Sequence, residues 1–235
     1  MNLHEYQAKE LLKNFDLPIL KGKAYINTLT NIDIDINNLK GPPWVVKSQI
    51  HAGGRGAGFF KNSNKKKGGV QVVKEISELK EVATFMMDNT LVTKQTGQKG
   101  KVVRRIFVEE GCEIDREFYL SLLIDRVKSQ LMIMLSTSGG VDIEEIAKTN
   151  PKKIITIHFP DTNSINLSKN LQEILKINSN QFNELSIIIK NLVKAFKSLD
   201  ASTIEINPLV INKEGKFVLL DAKINLDDNA LFRHP

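Results

Sequence analysis

Lys47 closes the run Trp44-Val45-Val46-Lys47, and His51-Ala52-Gly53-Gly54-Arg55-Gly56-Ala57-Gly58 follows it closely. A loop this rich in glycine can turn its backbone N–H groups toward an anion, because no Cβ blocks the approach. Lys47, on the preceding strand, can set its ammonium on a phosphate. Arg55 and His51 lie in the same loop. The pattern is neither Gly-x-x-x-x-Gly-Lys-Ser/Thr nor Gly-x-Gly-x-x-Gly opening a helix, so a helix-dipole phosphate cradle is not implied. The chemistry on offer is a flap over the phosphates of a nucleotide. The plainer reading is a mobile hairpin loop.

A second group lies near the end of the chain, in Ser202-Thr203-Ile204-Glu205-Ile206-Asn207-Pro208 and Val218-Leu219-Leu220-Asp221-Ala222-Lys223. Glu205 and Asn207 are two apart, so on a strand both side chains leave one face. A three-residue Lys213-Glu214-Gly215 turn, with Gly215 left-handed, pairs Asn212 with Lys216. Asn207 then falls opposite Asp221, and Glu205 opposite Lys223. Ile204, Ile206, Leu220 and Ala222 take the other face. A carboxylate facing an amide, with a second carboxylate two residues away, is a hard oxygen set suited to Mg²⁺. Pro208 ends the regular ladder just after Asn207. The plainer reading is the polar face of an ordinary hairpin.

Glu109, Glu110 and Glu117 form a third group. Glu109 ends a strand before Gly111, where a carboxylate can accept from ribose hydroxyls and the backbone can meet an adenine edge. Solvated surface charge is the plainer reading. The single cysteine, Cys112, excludes an internal disulfide and a Cys-cluster zinc site, and reads as a packing residue.

These residues need elements to hold them. The chain has 235 residues, 41% apolar and 26% charged, with a net charge of +6. Those are globular values, against a disordered or collagen-like chain. The basic residues are spread, the dense run being Lys65-Lys66-Lys67, and 6% aromatic residues offer no stacking platform. The charge therefore gives no reason to expect nucleic acid. No apolar run approaches the roughly 18 residues of a membrane span. The start lacks a basic patch followed by an apolar stretch, so the cytoplasm is the default.

Asn2 and Glu5 read as a capping box opening a helix that stops before Leu17-Pro18. A weakly structured stretch runs to Gly41-Pro42-Pro43. A strand at 44–50, the glycine loop at 51–69 and a strand at 70–73 follow. Ile76, Leu79, Val82, Ala83 and Met86 mark a helix. Residues 106–109, 117–126 and 131–136 are β-biased. A short helix near 142–148 precedes a strand at 154–157. Phe182, Leu185, Ile188, Ile189, Leu192, Phe196 and Leu199 mark the strongest helix, and the hairpin 202–211 and 216–224 closes the chain. Without a clean βαβ alternation, the fold class is α+β rather than a doubly wound sheet.

Longer motifs carry a resemblance. Asn2-Leu3-His4-Glu5-Tyr6-Gln7-Ala8-Lys9-Glu10-Leu11-Leu12 is the first. Val45-Val46-Lys47 with His51-Ala52-Gly53-Gly54-Arg55-Gly56, then Leu91-Val92-Thr93-Lys94-Gln95-Thr96-Gly97, and Ser136-Thr137-Ser138-Gly139-Gly140-Val141-Asp142-Ile143-Glu144 follow. Ile204-Glu205-Ile206-Asn207-Pro208-Leu209-Val210, Leu220-Asp221-Ala222-Lys223 and Asp228-Asn229-Ala230-Leu231-Phe232-Arg233 complete the set. In this order, over nearly the whole chain, they resemble the β subunit of succinyl-CoA synthetase (succinate–CoA ligase, ADP-forming). The resemblance implies an ATP-grasp fold in which two α+β subdomains hold a nucleotide between them, one at roughly 20–110, the other at roughly 1–19 plus 111–235. Carried onto matching positions, Lys47, Gly54, Arg55 and Gly56 contact phosphates. Glu109, Cys112 (through its backbone) and Glu117 lie along the adenosine part. Asn207 and Asp221 bind Mg²⁺ with Glu205 in support.

The family reaction, part of the citric acid cycle, joins succinate and CoA using ATP. It passes through a phosphohistidine on an α subunit, in an αβ or α2β2 hetero-oligomer of the bacterial cytoplasm. None of His4, His51, His158 and His234 looks like that histidine, and no catalytic residue is assigned. Malate–CoA ligase, or another ATP-grasp acid–thiol ligase, is the alternative. Two departures stand out: a long segment from Phe59 to Lys67, and a chain that stops before the family's carboxy-terminal domain. The expectation is nucleotide binding without the complete ligase reaction.

Overall fold

The computed structural model describes residues 1–61, 63, 67–160 and 165–234. The chain divides into two compact units, Leu20–Cys112 on one hand and Met1–Ile19 with Glu113–Pro235 on the other. Helix α1 (Glu5–Lys13) belongs to the larger unit. The smaller unit then runs through β1 (Gly22–Ile26), α2 (Ile32–Ile36), β2 (Trp44–Ser48), β3 (Phe59–Phe60), β4 (Val70–Val73), α3 (Ile76–Met86), β5 (Thr90–Val92), β6 (Lys101–Val102) and β7 (Arg105–Glu110). The larger unit resumes with β8 (Ile114–Asp125), β9 (Gln130–Ser136), α4 (Ile143–Thr149), β10 (Ile154–Phe159), α5 (Asn170–Leu175), α6 (Ser179–Ser198), β11 (Ala201–Asn212), β12 (Phe217–Leu219) and β13 (Ala222–Leu226).

In the smaller unit a four-stranded sheet has the order β1-β7-β2-β4, with every pairing antiparallel. Helix α3 buries Leu79, Val82, Ala83 and Met86, a stripe at helical spacing. They pack with Trp44 and Val46 of β2 and Ile106 and Val108 of β7. Strand side chains alternate, so Lys47 and Glu109 leave the opposite face of this sheet.

In the larger unit a six-stranded antiparallel sheet runs β10-β9-β8-β11-β12, with β13 also on β11. Helix α6 opens with a reciprocal cap between Asn178 and Gln181. Its inward stripe, Leu185, Ile188, Ile189, Leu192 and Phe196, packs with Leu120 and Leu122 of β8 and Ile204 and Ile206 of β11. The antiparallel pairing throughout matches the α+β expectation.

Three local expectations shift. Helix α1 begins at Glu5, capped by His4 and Gln7 rather than by Asn2 and Glu5. The reason is that Asn2 bridges Asn225 and the Leu3 N–H donates to the Ile224 carbonyl at 3.0 Å, so the chain is still extended there. The stretch before Gly41 holds β1 and α2, and α5 also escaped the sequence pattern. Both helices are too short to show a period, and β1 buries only Tyr25. Of the lysine run, Lys65 and Lys66 lie outside the described residues, and Lys67 is exposed. No helix among the described residues is long and apolar enough to cross a membrane.

The β11 hairpin has the register its turn predicts. Gly215 has φ +79°, its N–H donates to the Asn212 carbonyl at 2.8 Å, and the Asn212 N–H donates to the Lys216 carbonyl at 2.9 Å. Leu209 then pairs with Leu219, and Glu205 with Lys223. Leu220 and Asp221 belong to neither strand, yet the Asn207 N–H donates to the Asp221 carbonyl at 3.1 Å. On the other edge of β11, Ile206 pairs with Leu120 and Leu209 with Phe118. Asn207 and Pro208 thus stand together opposite Tyr119, a β-bulge of the kind that re-aims a side chain. Gly215→Ala places a Cβ in the left-handed region and is expected to cost about 1–2 kcal/mol. A lowered urea midpoint with an unchanged slope checks it.

Candidate functional site

On the smaller unit, β2 and β7 are neighbours with Lys47 opposite Phe107 and Val45 opposite Glu109. Lys47 and Glu109 are therefore diagonal cross-strand neighbours on one face. Their charged groups meet at 2.7 Å, with the side chains 8% and 1% exposed. A buried pair like this carries a desolvation penalty that the mutual attraction only partly offsets. Neither partner tolerates loss of the other, so each fixes where the other's charge sits.

The glycine loop follows β2, beyond Ser48. Arg55 is buried, and its Nη1 donates to the Ser48 carbonyl at 2.9 Å. Its guanidinium is thus held on the start of the loop, while its own carbonyl accepts from Gly58 at 3.2 Å and Gly69 at 2.8 Å. Gly54 and Gly56 lie on either side in the turn. The Gly53 N–H donates to Gln95 Oε1 at 2.6 Å, which ties the loop to the Thr93-Lys94-Gln95-Thr96 segment. His51, in the same loop, is held below the ordinary histidine range, first by burial and then by Lys101 and Arg105. Cys112, the last residue of this unit, is half-buried and forms no disulfide.

On the larger unit, Asn207 reaches the Gly139-Gly140-Val141-Asp142 turn. Its Oδ1 accepts from the Gly140 N–H at 2.8 Å, and its Nδ2 donates to the Val141 carbonyl at 3.0 Å. Gly140 has φ +70°, and a Cβ there would stand 2.6 Å from Glu117 Oε2. The left-handed backbone at this position favours glycine. Asp142 caps α4 by accepting from the Glu144 N–H at 3.0 Å. Asp221 stands opposite Asn207 on the hairpin.

Glu205 ties the cluster together. Its pKa is raised, first by burial. Lys223 opposes that, Asp221 adds to it, a hydrogen bond with Asn207 opposes it, and Asp142 adds to it again. Tyr119, opposite the bulge, is pushed up to about 12 by burial and then by the Glu205 charge. The amide oxygen of Asn207 has two lone pairs and gives one to Gly140, so one remains. With the Asp221 carboxylate it makes an oxygen-only donor pair, which fits Mg²⁺. Among the described residues no three His, Cys, Asp or Glu side chains gather as a metal cage. A cation at this pair would take further oxygens from elsewhere.

The structure thus brings Lys47 to Glu109, and Glu117 and Asn207 to one glycine turn beside Asp221. It turns the Arg55 guanidinium to the backbone. The remaining histidines have structural contacts: His4 caps α1, His158 meets Asp125 at 2.8 Å and His234 meets Asp200 at 2.7 Å. Sequence reasoning missed the Lys47–Glu109 pairing, because it depends on the β2–β7 register across some sixty intervening residues. The seat of the Gly139-Gly140 turn on Asn207 was missed for the same reason. A paired glycine between a strand and an Asp-capped helix was the available signal.

Residues 2–211 match the sequence profile of the ATP-grasp domain, and the chain belongs to that family. Its similarity to known proteins is more specific. Over 237 residues it is 48% identical to the β subunit of succinate–CoA ligase [ADP-forming] of Acidiphilium cryptum (strain JF-5), covering 100% of this chain and 59% of that protein. Over 236 residues it is 45% identical to the corresponding subunit of Paramagnetospirillum magneticum (strain ATCC 700264 / AMB-1), again covering 100% and 59%. Among solved structures, ATP citrate lyase from Methanothrix soehngenii in complex with citrate and coenzyme A superposes with a TM-score of 0.70 at 20% identity, over 98% of this chain and 52% of that one. That likeness is one of fold. The chain spans 59% of the length of these two curated relatives.

Two outcomes follow from the charges. Lys47→Met removes the ammonium that stands 2.7 Å from the buried Glu109 carboxylate, and is expected to lose about 3–5 kcal/mol in urea unfolding, most of it regained in Lys47→Met/Glu109→Leu. Glu205 has a raised pKa in the folded chain, so the native state holds its proton more tightly than the unfolded state. That contribution is fully present below the ordinary glutamate pKa and is lost as pH rises through the folded value. Glu205→Gln is therefore expected to raise the melting temperature at pH 7 relative to the native chain, with the gain shrinking toward pH 4.

Proposed function

We propose that this chain is the nucleotide-handling part of an ADP-forming succinate–CoA ligase β subunit. The observation that carries the reading is the match of its full length to β subunits of that name at 45–48% identity. The ATP-grasp fold and the two polar clusters agree with it.

In this reading the smaller unit supplies the phosphate contacts. Lys47 presents its ammonium to the phosphates, aimed by Glu109. Gly54 and Gly56 offer backbone N–H groups, and Arg55 braces the loop that carries them. Glu109, Cys112 through its backbone, and Glu117 line the adenosine part. Asn207 and Asp221 of the larger unit hold Mg²⁺, with Glu205 and Lys223 balancing their charge. When bound, the cation neutralises charge on the phosphate oxygens. The protein's part is positioning and charge stabilisation, as in phosphoryl transfer generally. The phosphoryl group passes between nucleotide and a histidine on an α subunit, within an αβ or α2β2 assembly. The overall reaction is succinate, CoA and ATP to succinyl-CoA, ADP and phosphate. The bacterial cytoplasm and the citric acid cycle are its setting.

Lys47→Ala, assayed by calorimetry, is expected to weaken ATP and ADP by about 1.5–3 kcal/mol and adenosine far less. Equal losses for all three would point to a folding defect, and equal losses in a variant whose melting curve shows it folded would count against phosphate contact. With γ-labelled ATP and Mg²⁺, acid-labile phosphate is expected on an added α subunit and not on this chain. Label held stably on this chain would overturn the division of labour.

A further inference from the structure

Helix α1 turns Glu5, Ala8, Lys9 and Leu12 inward. Ala8 and Leu12 join the apolar core of the larger unit. Glu5 and Lys9, an acid and a base, occupy the same stripe. Lys9 is 1% exposed, and its ammonium stands 3.3 Å from Glu5 Oε1, one turn back. It also donates to the Leu220 carbonyl at 2.7 Å. An apolar pair of similar volume would serve a core as well or better than a buried ion pair. Stability alone does not account for these residues.

Their place in the fold does. Strand β12 ends at Leu219 and β13 begins at Ala222, so Leu220 and Asp221 form a two-residue break in the ladder. The Leu220 N–H donates to the Pro208 carbonyl at 3.1 Å, and the Asp221 carbonyl accepts from the Asn207 N–H at 3.1 Å. The Leu220 carbonyl is met instead by Lys9. That carbonyl lies in one rigid plane with the N–H and Cα of Asp221. Fixing it fixes the plane from which the Asp221 side chain departs.

We propose that Lys9 is a positioning residue for Asp221: from α1, with its charge balanced by Glu5, it sets the Leu220–Asp221 peptide so that the carboxylate faces the metal position shared with Asn207. The proposal rests on the reading of Asp221 as a Mg²⁺ ligand.

The measured quantity is the ratio of the ADP dissociation constant in EDTA to that in Mg²⁺. Lys9→Met takes the ammonium away from the buried Glu5 carboxylate and invites misfolding. The decisive variant is therefore Glu5→Leu/Lys9→Leu, which keeps an apolar stripe and withholds the donor from Leu220. It is expected to melt near the native temperature, to bind metal-free ADP normally, and to lose about tenfold in the Mg²⁺ ratio, the scale of one charge-assisted contact. Lys9→Arg, which keeps a donor, is expected to recover part of the loss. Asp221→Asn should abolish the ratio. A folded double variant with the native ratio, where Asp221→Asn has lost it, overturns the positioning role alone. A native ratio in Asp221→Asn overturns the metal reading, and the Lys9 proposal with it.

Discussion

Strand β11 is hydrogen-bonded along both edges, to β8 on one side and to β12 and then β13 on the other. Its inward residues Ile204, Ile206, Leu209 and Ile211 are at the floor of the core that α6 covers. A slip of one residue would turn that apolar set to the polar face and the polar set into the core. The register is therefore held by burial as well as by the Gly215 turn. With it go the positions of Glu205, Asn207, Lys223 and Asp221. The bulge at Asn207-Pro208 and the break at Leu220-Asp221 face one another across that ladder. At this one level the backbone departs from regular pairing on both strands, and there the donor pair is placed.

The two units share a second device. Each buries an ion pair beside its polar cluster: Lys47 with Glu109 on the smaller unit, Lys9 with Glu5 on the larger. Buried pairs rarely stabilise a fold beyond what apolar residues of equal volume achieve. They do fix the direction of a charge, since removing one partner of a buried pair costs far more than the pair itself contributes. Lys47 is thereby held on the sheet face opposite α3, near the end of the strand from which the glycine loop departs. Lys9 is held on the carbonyl that precedes Asp221.

Much of this was legible in the amino-acid order. The hydrophobic stripes of α3 and α6, the strand of Lys47, the glycine loop and the hairpin register are local properties, set by side-chain periodicity and by one left-handed glycine. The family was legible too, because its motifs are long and occur in order. The helix start at Glu5 was not, because the pairing of Asn2 and Leu3 with β13 outweighs the local capping preference.

Tertiary structure decided which distant residues meet. Glu109 read as a strand-end carboxylate, and only the β2–β7 register made it the partner of Lys47. Lys9 stood in the opening motif with no role of its own, and only the docking of α1 over the break at Leu220 gave its ammonium a target. Asn207 read as a bare oxygen donor, and only the fold set Gly140 and Val141 on its amide. The physical reason is the same in each case. Periodicity and turn chemistry act over a few residues and are written in the sequence. A hydrogen bond or ion pair between segments dozens to hundreds of residues apart depends on how sheets and helices pack, and that is decided when the chain folds.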